Sequence, residues 1–342
     1  MIGGKDTKTR NLILRLLSPL LAVATSLAIV GAILALSGMN VGLVFGSILS
    51  GALSLNLFLK AAPLLLISVG MVVAFKCGLT NLGAEGQLYF GALIAAYLGL
   101  SFTSLPGWVL IPVILVLGFI IGAGWAAFPG YLRAKLNLSE VIIGFMMNWI
   151  AIDFTIYMIL GPLKSVKIPM LPMTDMITDQ AWLPTIFGSR IHIGLLFGLV
   201  SVFLIYWLVW KTKIGFEIRA VGANPDVAKA MGMKTTRAIL LSMVISGGLS
   251  GLAGVGEVLG FQHRLMDTIS PGYGFVAIAV ALAGRNNPVG VLAASIFFGA
   301  VLSGADAMRR TIGIGFGLVY LFEGLVILFT VLGEIAIRRW FE

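Results

Sequence analysis

Cysteine and charge are both scarce in this 342-residue chain: it has one cysteine, and only 11% of its residues are charged. The single Cys77 excludes an internal disulfide and reads as a small buried residue. Only two histidines occur, His192 and His263, far apart in sequence, and no Cys, His or carboxylate spacing supports a metal site. A phosphate-cradling G-x-x-x-x-G-K-[ST] loop is missing, because the one Gly-Lys pair, Gly4-Lys5, is followed by Asp6. H-E-x-x-H is missing too, and no nucleophile and base pair can be argued. Covalent chemistry is therefore not expected, and any uphill work needs an ion gradient or another polypeptide.

What the chain has is apolar length. Hydrophobic residues make up 59% of it, and runs long enough to cross about 30 Å of hydrocarbon recur along it. Apolar windows and breakers predict spans at 16–38, 60–76, 87–101, 107–132, 139–161, 191–210, 238–260, 272–284, 288–305 and 312–335. The first is too long for a signal-peptide core and reads as a retained span. Residues 39–59 read as an interfacial helix or external lid. The fold class is all-α: a single polytopic transmembrane domain over 1–342 with about ten transmembrane helices, some short or broken.

Sixteen of the 23 Lys and Arg residues fall on one side when the N-terminus is placed inside. Both termini are then cytoplasmic, in a cell inner or plasma membrane. The net charge of +9 follows from topology and anionic lipid, and nucleic acid need not be invoked. An external loop over 161–190 carries four prolines, with Asp175 and Asp179. A cytoplasmic loop over 211–237 predicts a short helix: Asn224 as N-cap, Pro225 in the first position, Asp226 at the positive end, and Gly232 as the left-handed residue past the last turn. So short a helix is marginal in water and needs a packing partner.

The stretch "GLTNLGAEGQLYFGAL" puts Asn81, Glu85 and Gln87 at a helix break, where irregular backbone persists only if protein or a water-filled cavity covers it. Asn81 or Thr80 is expected to cap a helix starting near Leu82. Glu85 and Tyr89 share a face, with Gln87 pointing away, so one face suits a substrate path and the other a neighbouring helix. A second break, "ISPGYGF" to "GRNNPVG", places Asn286 and Asn287 as caps before Pro288. The two breaks lie five spans apart, the pattern of an inverted repeat of five plus five helices. Asp153, Glu257 and Glu323 are ionisable residues inside spans, with Asn148 as a polar partner for Asp153 and Glu257 close enough to a helix end to face water. Asn137-Leu138-Ser139-Glu140 reads as a capping box.

"FKCGLTNLGAEGQLYFGALIAA", "LSEVIIGFMMNWIA", "IGFEIRAVGANPDVAKAMGM" and "GFVAIAVALAGRNNPVGVLAA" together resemble the permease subunits of bacterial ABC importers of the branched-chain amino acid and ribose class. The wording N-x-G-x-E-G-Q and E-V-I-x-x-x-M-x-N is most similar to nucleoside permeases, with Leu79-Thr80 a departure from their usual Leu-Phe. The resemblance implies a second permease subunit, similar or identical, and two ABC ATPase modules that bind ATP and magnesium. It also implies an extracellular lipoprotein that delivers substrate, and no cofactor in this chain. It makes Asn224, Pro225, Asp226, Lys229 and Gly232 the coupling segment, braced by Glu217 and Arg219. The candidate substrate path comprises Asn81, Glu85, Gln87, Phe145, Asn148, Tyr273 and Phe275. The alternatives are a ribose-type sugar permease and, from other classes, an ion-coupled secondary transporter or a passive channel.

Overall fold

A computed structural model describes residues 21, 23–36, 40–186, 188, 190–313 and 316–341. The start of the predicted first span and the cations Lys5, Lys8, Arg10 and Arg15 lie outside them. Among the described residues the chain is helical, with only two isolated β-bridges, Met173–Met266 and Thr185–His192. Six helices among the described residues are long and apolar enough to cross a membrane. With the shorter apolar helices, they describe a multi-pass membrane protein.

Cα packing divides the chain into two compact units. The unit of residues 1–60 and 296–342 holds α1 (Val23–Leu36), α2 (Val41–Ala52), the start of α3 (Asn56–Lys76), most of α12 (Pro288–Ile312) and α13 (Phe316–Phe341). The region expected as an interfacial helix or lid is α2. It is capped by the Asn40 side chain, which accepts from Leu43 N at 3.2 Å. Gly51 lets α2 lie directly on α12: Ser303 Oγ donates to Gly51 O at 2.8 Å, and a Cβ on Gly51 would strike Ala307 and the Ser303 carbonyl. Lys60 Nζ meets Asp306 Oδ2 at 2.8 Å, and the buried Glu323 lies within electrostatic reach of both.

The unit of residues 61–295 contains the rest of α3, then α4 (Ala84–Ser101), α5 (Gly107–Leu136), α6 (Glu140–Leu160), α7 (Gly194–Lys211), α8 (Lys213–Ala223), α9 (Pro225–Ala230), α10 (Thr235–Gly256) and α11 (Tyr273–Ala283). Its centre is α10, packed most extensively on α5 and then on α4. Glycines allow this closeness. A Cβ on Gly91 of α4 would strike the Gly251 carbonyl, and one on Gly122 of α5 would strike the Gly247 carbonyl and come within 2.8 Å of Gly251 Cα. A Cβ on Gly254 would strike the Leu88 carbonyl. Without a hydrophobic drive between helices in lipid, such close backbone approach is what holds them together.

Several boundaries differ from expectation for identifiable reasons. The capping box dissolves into three roles: Asn137 ends α5 in the left-handed conformation (φ 51°), Ser139 caps α6, and Glu140 lies against Arg133 (3.4 Å) and Thr80 N (3.3 Å). Asn287 caps α12 through Val289 N at 3.0 Å, as expected, whereas Asn286 takes a left-handed conformation and its buried Oδ1 has no partner. The span expected at 238–260 continues past α10 as a π-helical segment, Glu257–Gln262, ended by left-handed His263. Glu257 does not face water; it is buried inside that segment. Asp153 is exposed on α6, and Asn148, one turn earlier, is buried and bonded elsewhere, so the expected Asn148–Asp153 pairing does not form.

Candidate functional site

The break between α3 and α4 gathers the buried polar side chains Asn81, Glu85, Gln87 and Asn148. Gly78 is left-handed (φ +74°), turning the chain out of α3. Neither Thr80 nor Asn81 caps the next helix: α4 begins at Ala84 behind Gly83, with no side-chain cap. The polar side chains instead bond across the break. Asn81 Nδ2 donates to Gln87 Oε1 (2.8 Å) and to Ser246 Oγ on α10 (2.9 Å), and Gln87 Nε2 returns a bond to Asn81 Oδ1 (2.9 Å). From α6, Asn148 Nδ2 donates to Leu82 O and its Oδ1 accepts from Gly86 N, both at 2.8 Å. The single Asn148 amide thus occupies two backbone groups left open at the break, each of which costs several kcal/mol if unpaired in hydrocarbon.

Glu85 lies on another side of α4. Its Oε2 accepts from Gly274 N at 2.6 Å, and the Ser270 hydroxyl and Gly272 N–H also bond the carboxylate. Ser270 Oγ accepts in turn from Gly272 N and Tyr273 N. Glu85 and Ser270 therefore cap α11, whose positive end favours a carboxylate. Tyr89, one turn on from Glu85, donates to Asp267 O at 3.0 Å.

Five of the seven residues proposed for a substrate path, Asn81, Glu85, Gln87, Asn148 and Tyr273, are buried. The first four make the cross-links just described. Phe145 is exposed and Phe275 half-buried, with ring centroids 6.4 Å apart. Sequence reading missed Ser246 and Ser270, because a serine in an apolar run gives no local sign of its distant partner.

Between α7 and α10 the chain forms two helices rather than one. The expected α9 is present: Asn224 Oδ1 accepts from Asp226 N (3.0 Å) and Val227 N (3.1 Å), Pro225 is first, and Gly232 is left-handed (φ +82°). Ahead of it, α8 carries Glu217 and Arg219, starts at a Thr212 cap, and buries Gly215, Ile218 and Val221. Their spacing of three was the available signal for this helix. A Cβ on Gly222 of α8 would strike the Lys76 carbonyl, which fixes α8 against the end of α3.

At the opposite end of α6 and α7, Asp175 organises the long loop. It accepts from Ser165 Oγ (2.5 Å), Val166 N (3.3 Å) and Lys167 N (3.4 Å); chiefly through the serine, these bonds hold its carboxyl below the usual range. His192 is buried, accepts Gly194 N at Nδ1 (3.1 Å), and has its pKa lowered to about 4, by burial and then by His263. His263 stacks on Trp182 at 4.1 Å. Among the described residues no group of three His, Cys, Asp or Glu side chains could hold a metal ion.

Residues 53–331 match the family described as branched-chain amino acid transport system / permease component. A glucose ABC transporter permease protein of Haloferax volcanii is 32% identical, over 93% of this chain and 87% of its own. A guanosine ABC transporter permease protein of Bacillus subtilis is 33% identical over 94% of each chain. A nucleoside ABC transporter permease protein of Lactococcus lactis is 35% identical over 78% of this chain and 76% of its own. Such a subunit transports rather than catalyses, and its family implies an ABC ATPase as partner. With the family match covering most of its length and two of these relatives nearly all of it, the chain belongs to the branched-chain amino acid transport system / permease component family, as a multi-pass ABC permease.

Proposed function

We propose that this chain forms the translocation path for nucleosides in an ATP-driven importer, as one permease domain over 1–342. It pairs with a second permease, identical or similar, above two ATPase modules that bind ATP and magnesium, while this chain holds no cofactor. An extracellular lipoprotein delivers substrate to the loop over 161–190. About ten crossings, arranged as an inverted five plus five, place both termini and α8–α9 in the cytoplasm.

The observation that carries the importer reading is α9, closed at both ends and fixed through α8 to the end of α3. A passive channel has no use for such a rod, whereas an ATPase needs one to push. Asn224, Pro225, Asp226, Lys229 and Gly232 form the contact with the motor, and Glu217 and Arg219 brace it. ATP binding closes the modules, and the permeases rock between two states around a central path. Phe145 and Phe275 offer ring faces to a nucleobase, while Asn81, Glu85, Gln87, Asn148 and Tyr273 hold the wall behind them.

Nucleosides are favoured by the N-x-G-x-E-G-Q wording and by relatives named for nucleoside and guanosine transport. Sugar is the second reading, favoured by the glucose-named relative. Proteoliposomes containing the chain, its second permease, the ATPase and the binding protein should accumulate labelled guanosine with ATP and ignore glucose. Glucose accumulation alone overturns the substrate reading. Uptake driven by a pH gradient with no ATPase overturns the importer reading.

A further inference from the structure

The start of α10 carries two cations, Lys234 and Arg237, that the motor contact proposed above does not use, beside Lys229, which it does. Lys229, Lys234 and Arg237 line a cavity of about 640 Å³ together with Met233, Leu240 and Leu241. Three cations converge there, and none of the described lining residues is a carboxylate. The cavity lies at the start of α10, where the positive helix end adds to the cations and the N-cap position, Lys234, makes no side-chain cap bond. Its apolar wall lies farther along the same helix: Leu240 and Leu241 follow one to two turns after Thr235, where the candidate span starts. A second cavity of about 550 Å³ shares Met233 and extends the basic surface through Lys211, Lys213 and Arg219, with Trp210 in its lining and Glu217 as the one acid.

Cations at the start of α10 and leucines one to two turns farther along it match a molecule with an anionic head and an apolar tail. A soluble acidic protein surface would meet the cations and leave the leucines uncovered. We propose that this groove binds an anionic phospholipid, with the phosphate on Lys234 and Arg237 and the first part of an acyl chain against Leu240 and Leu241. The proposal rests on the orientation given above, which places this end of α10 at the cytoplasmic membrane surface, where anionic lipid attracts basic clusters.

Native mass spectrometry of the purified full-length chain, with phosphatidylglycerol or phosphatidylcholine added, tests this without ATP or substrate, so its outcome is independent of the importer reading. Phosphatidylglycerol should be retained in preference, and the double variant Lys234→Gln, Arg237→Gln should weaken that retention by roughly 30-fold, from about fivefold per cation. Equal retention of the two lipids, or unchanged retention by the variant, overturns the site. Displacement of phosphatidylglycerol by equimolar inorganic phosphate overturns the lipid as occupant in favour of a free anion. A variant that keeps its lipid but no longer co-purifies with the ATPase overturns the proposal and gives this face to the motor. Should the variant misfold, a photoactivatable phosphatidylglycerol on the unaltered chain decides: adducts concentrated within 229–241 support the groove, and adducts spread over all basic segments overturn it.

Discussion

Glu85 and Gly274, 189 residues apart, meet at 2.6 Å, the Glu85 carboxylate accepting the N–H of the second residue of α11. The contact ties the start of one interrupted helix to the start of another. Glu85→Ala removes the acceptor and leaves a buried N–H unpaired, so about 1–3 kcal/mol of stability should be lost. Glu85→Gln keeps an acceptor and should cost only about 1 kcal/mol. Denaturation in detergent measures both; if the alanine variant matches the unaltered protein, the carboxylate is not what holds α11.

The glycine contacts of α4, α5 and α10 predict size limits. Gly251→Ala and Gly254→Ala place a methyl group on carbonyls of the neighbouring helices and should cost about 1–3 kcal/mol or more, through overpacking. Gly124→Ala is the control: its Cβ meets nothing within 4 Å, and helix propensity should make it neutral or stabilising by up to about 1 kcal/mol. Thermal midpoints of the three variants, each purified in one detergent, separate a packing limit from a general intolerance of side chains.

Replacing residues 224–229 by a Gly/Ser linker should leave the membrane fold intact and abolish ATP-driven uptake, because α8 remains fixed to α3 while the rod is lost. The milder Asn224→Ala removes one cap and should cost α9 about 1 kcal/mol, lowering uptake without abolishing it. Uptake at the normal rate with the linker in place would end the coupling role.

Acid should loosen the long loop and the start of α7 through His192. Its folded pKa of about 4 lies below the ordinary 6.5, so between those values the unfolded state binds more protons. The contribution of His192 to stability is therefore complete above about pH 6.5 and declines as pH falls toward 4, by at most about 1.4 kcal/mol per pH unit. His263, also lowered by burial, acts in the same direction, while Asp179 opposes it at His263. Asp175 is lowered as a carboxylate, so its contribution is lost only as pH falls below about 3.8, outside this window. Hydrogen exchange of residues 183–196 at pH 7 and pH 4.5 should show the loss in the unaltered protein and a flatter response in His192→Asn.

The cap of α9 was readable because every residue that makes it lies within nine positions: Asn224, Pro225, Asp226 and Gly232 are neighbours. The location of both breaks was readable for the same reason, since glycine and amide clusters interrupt apolar runs. The partners were not. Asn81 reads as a cap from its neighbours, yet Ser246 lies 165 residues away and Gln87 competes for the same amide, so tertiary bonding displaces the local choice. Asn148 was paired with Asp153 on proximity along a helix, whereas backbone left open at Leu82 and Gly86 attracted it more strongly. The π-helical turn at Glu257–Gln262 was hidden because an apolar run carries no mark of a one-residue widening.

Where Gly91, Gly122 and Gly254 bring main chain against main chain, no layer of flexible side chains remains to slide or repack. Three helices joined in that way behave as a solid block, able to tilt but not to shear. The rearrangements of a transport cycle must then be absorbed by peripheral helices and connecting turns, and labels on α4, α5 and α10 should keep fixed mutual spacing throughout it.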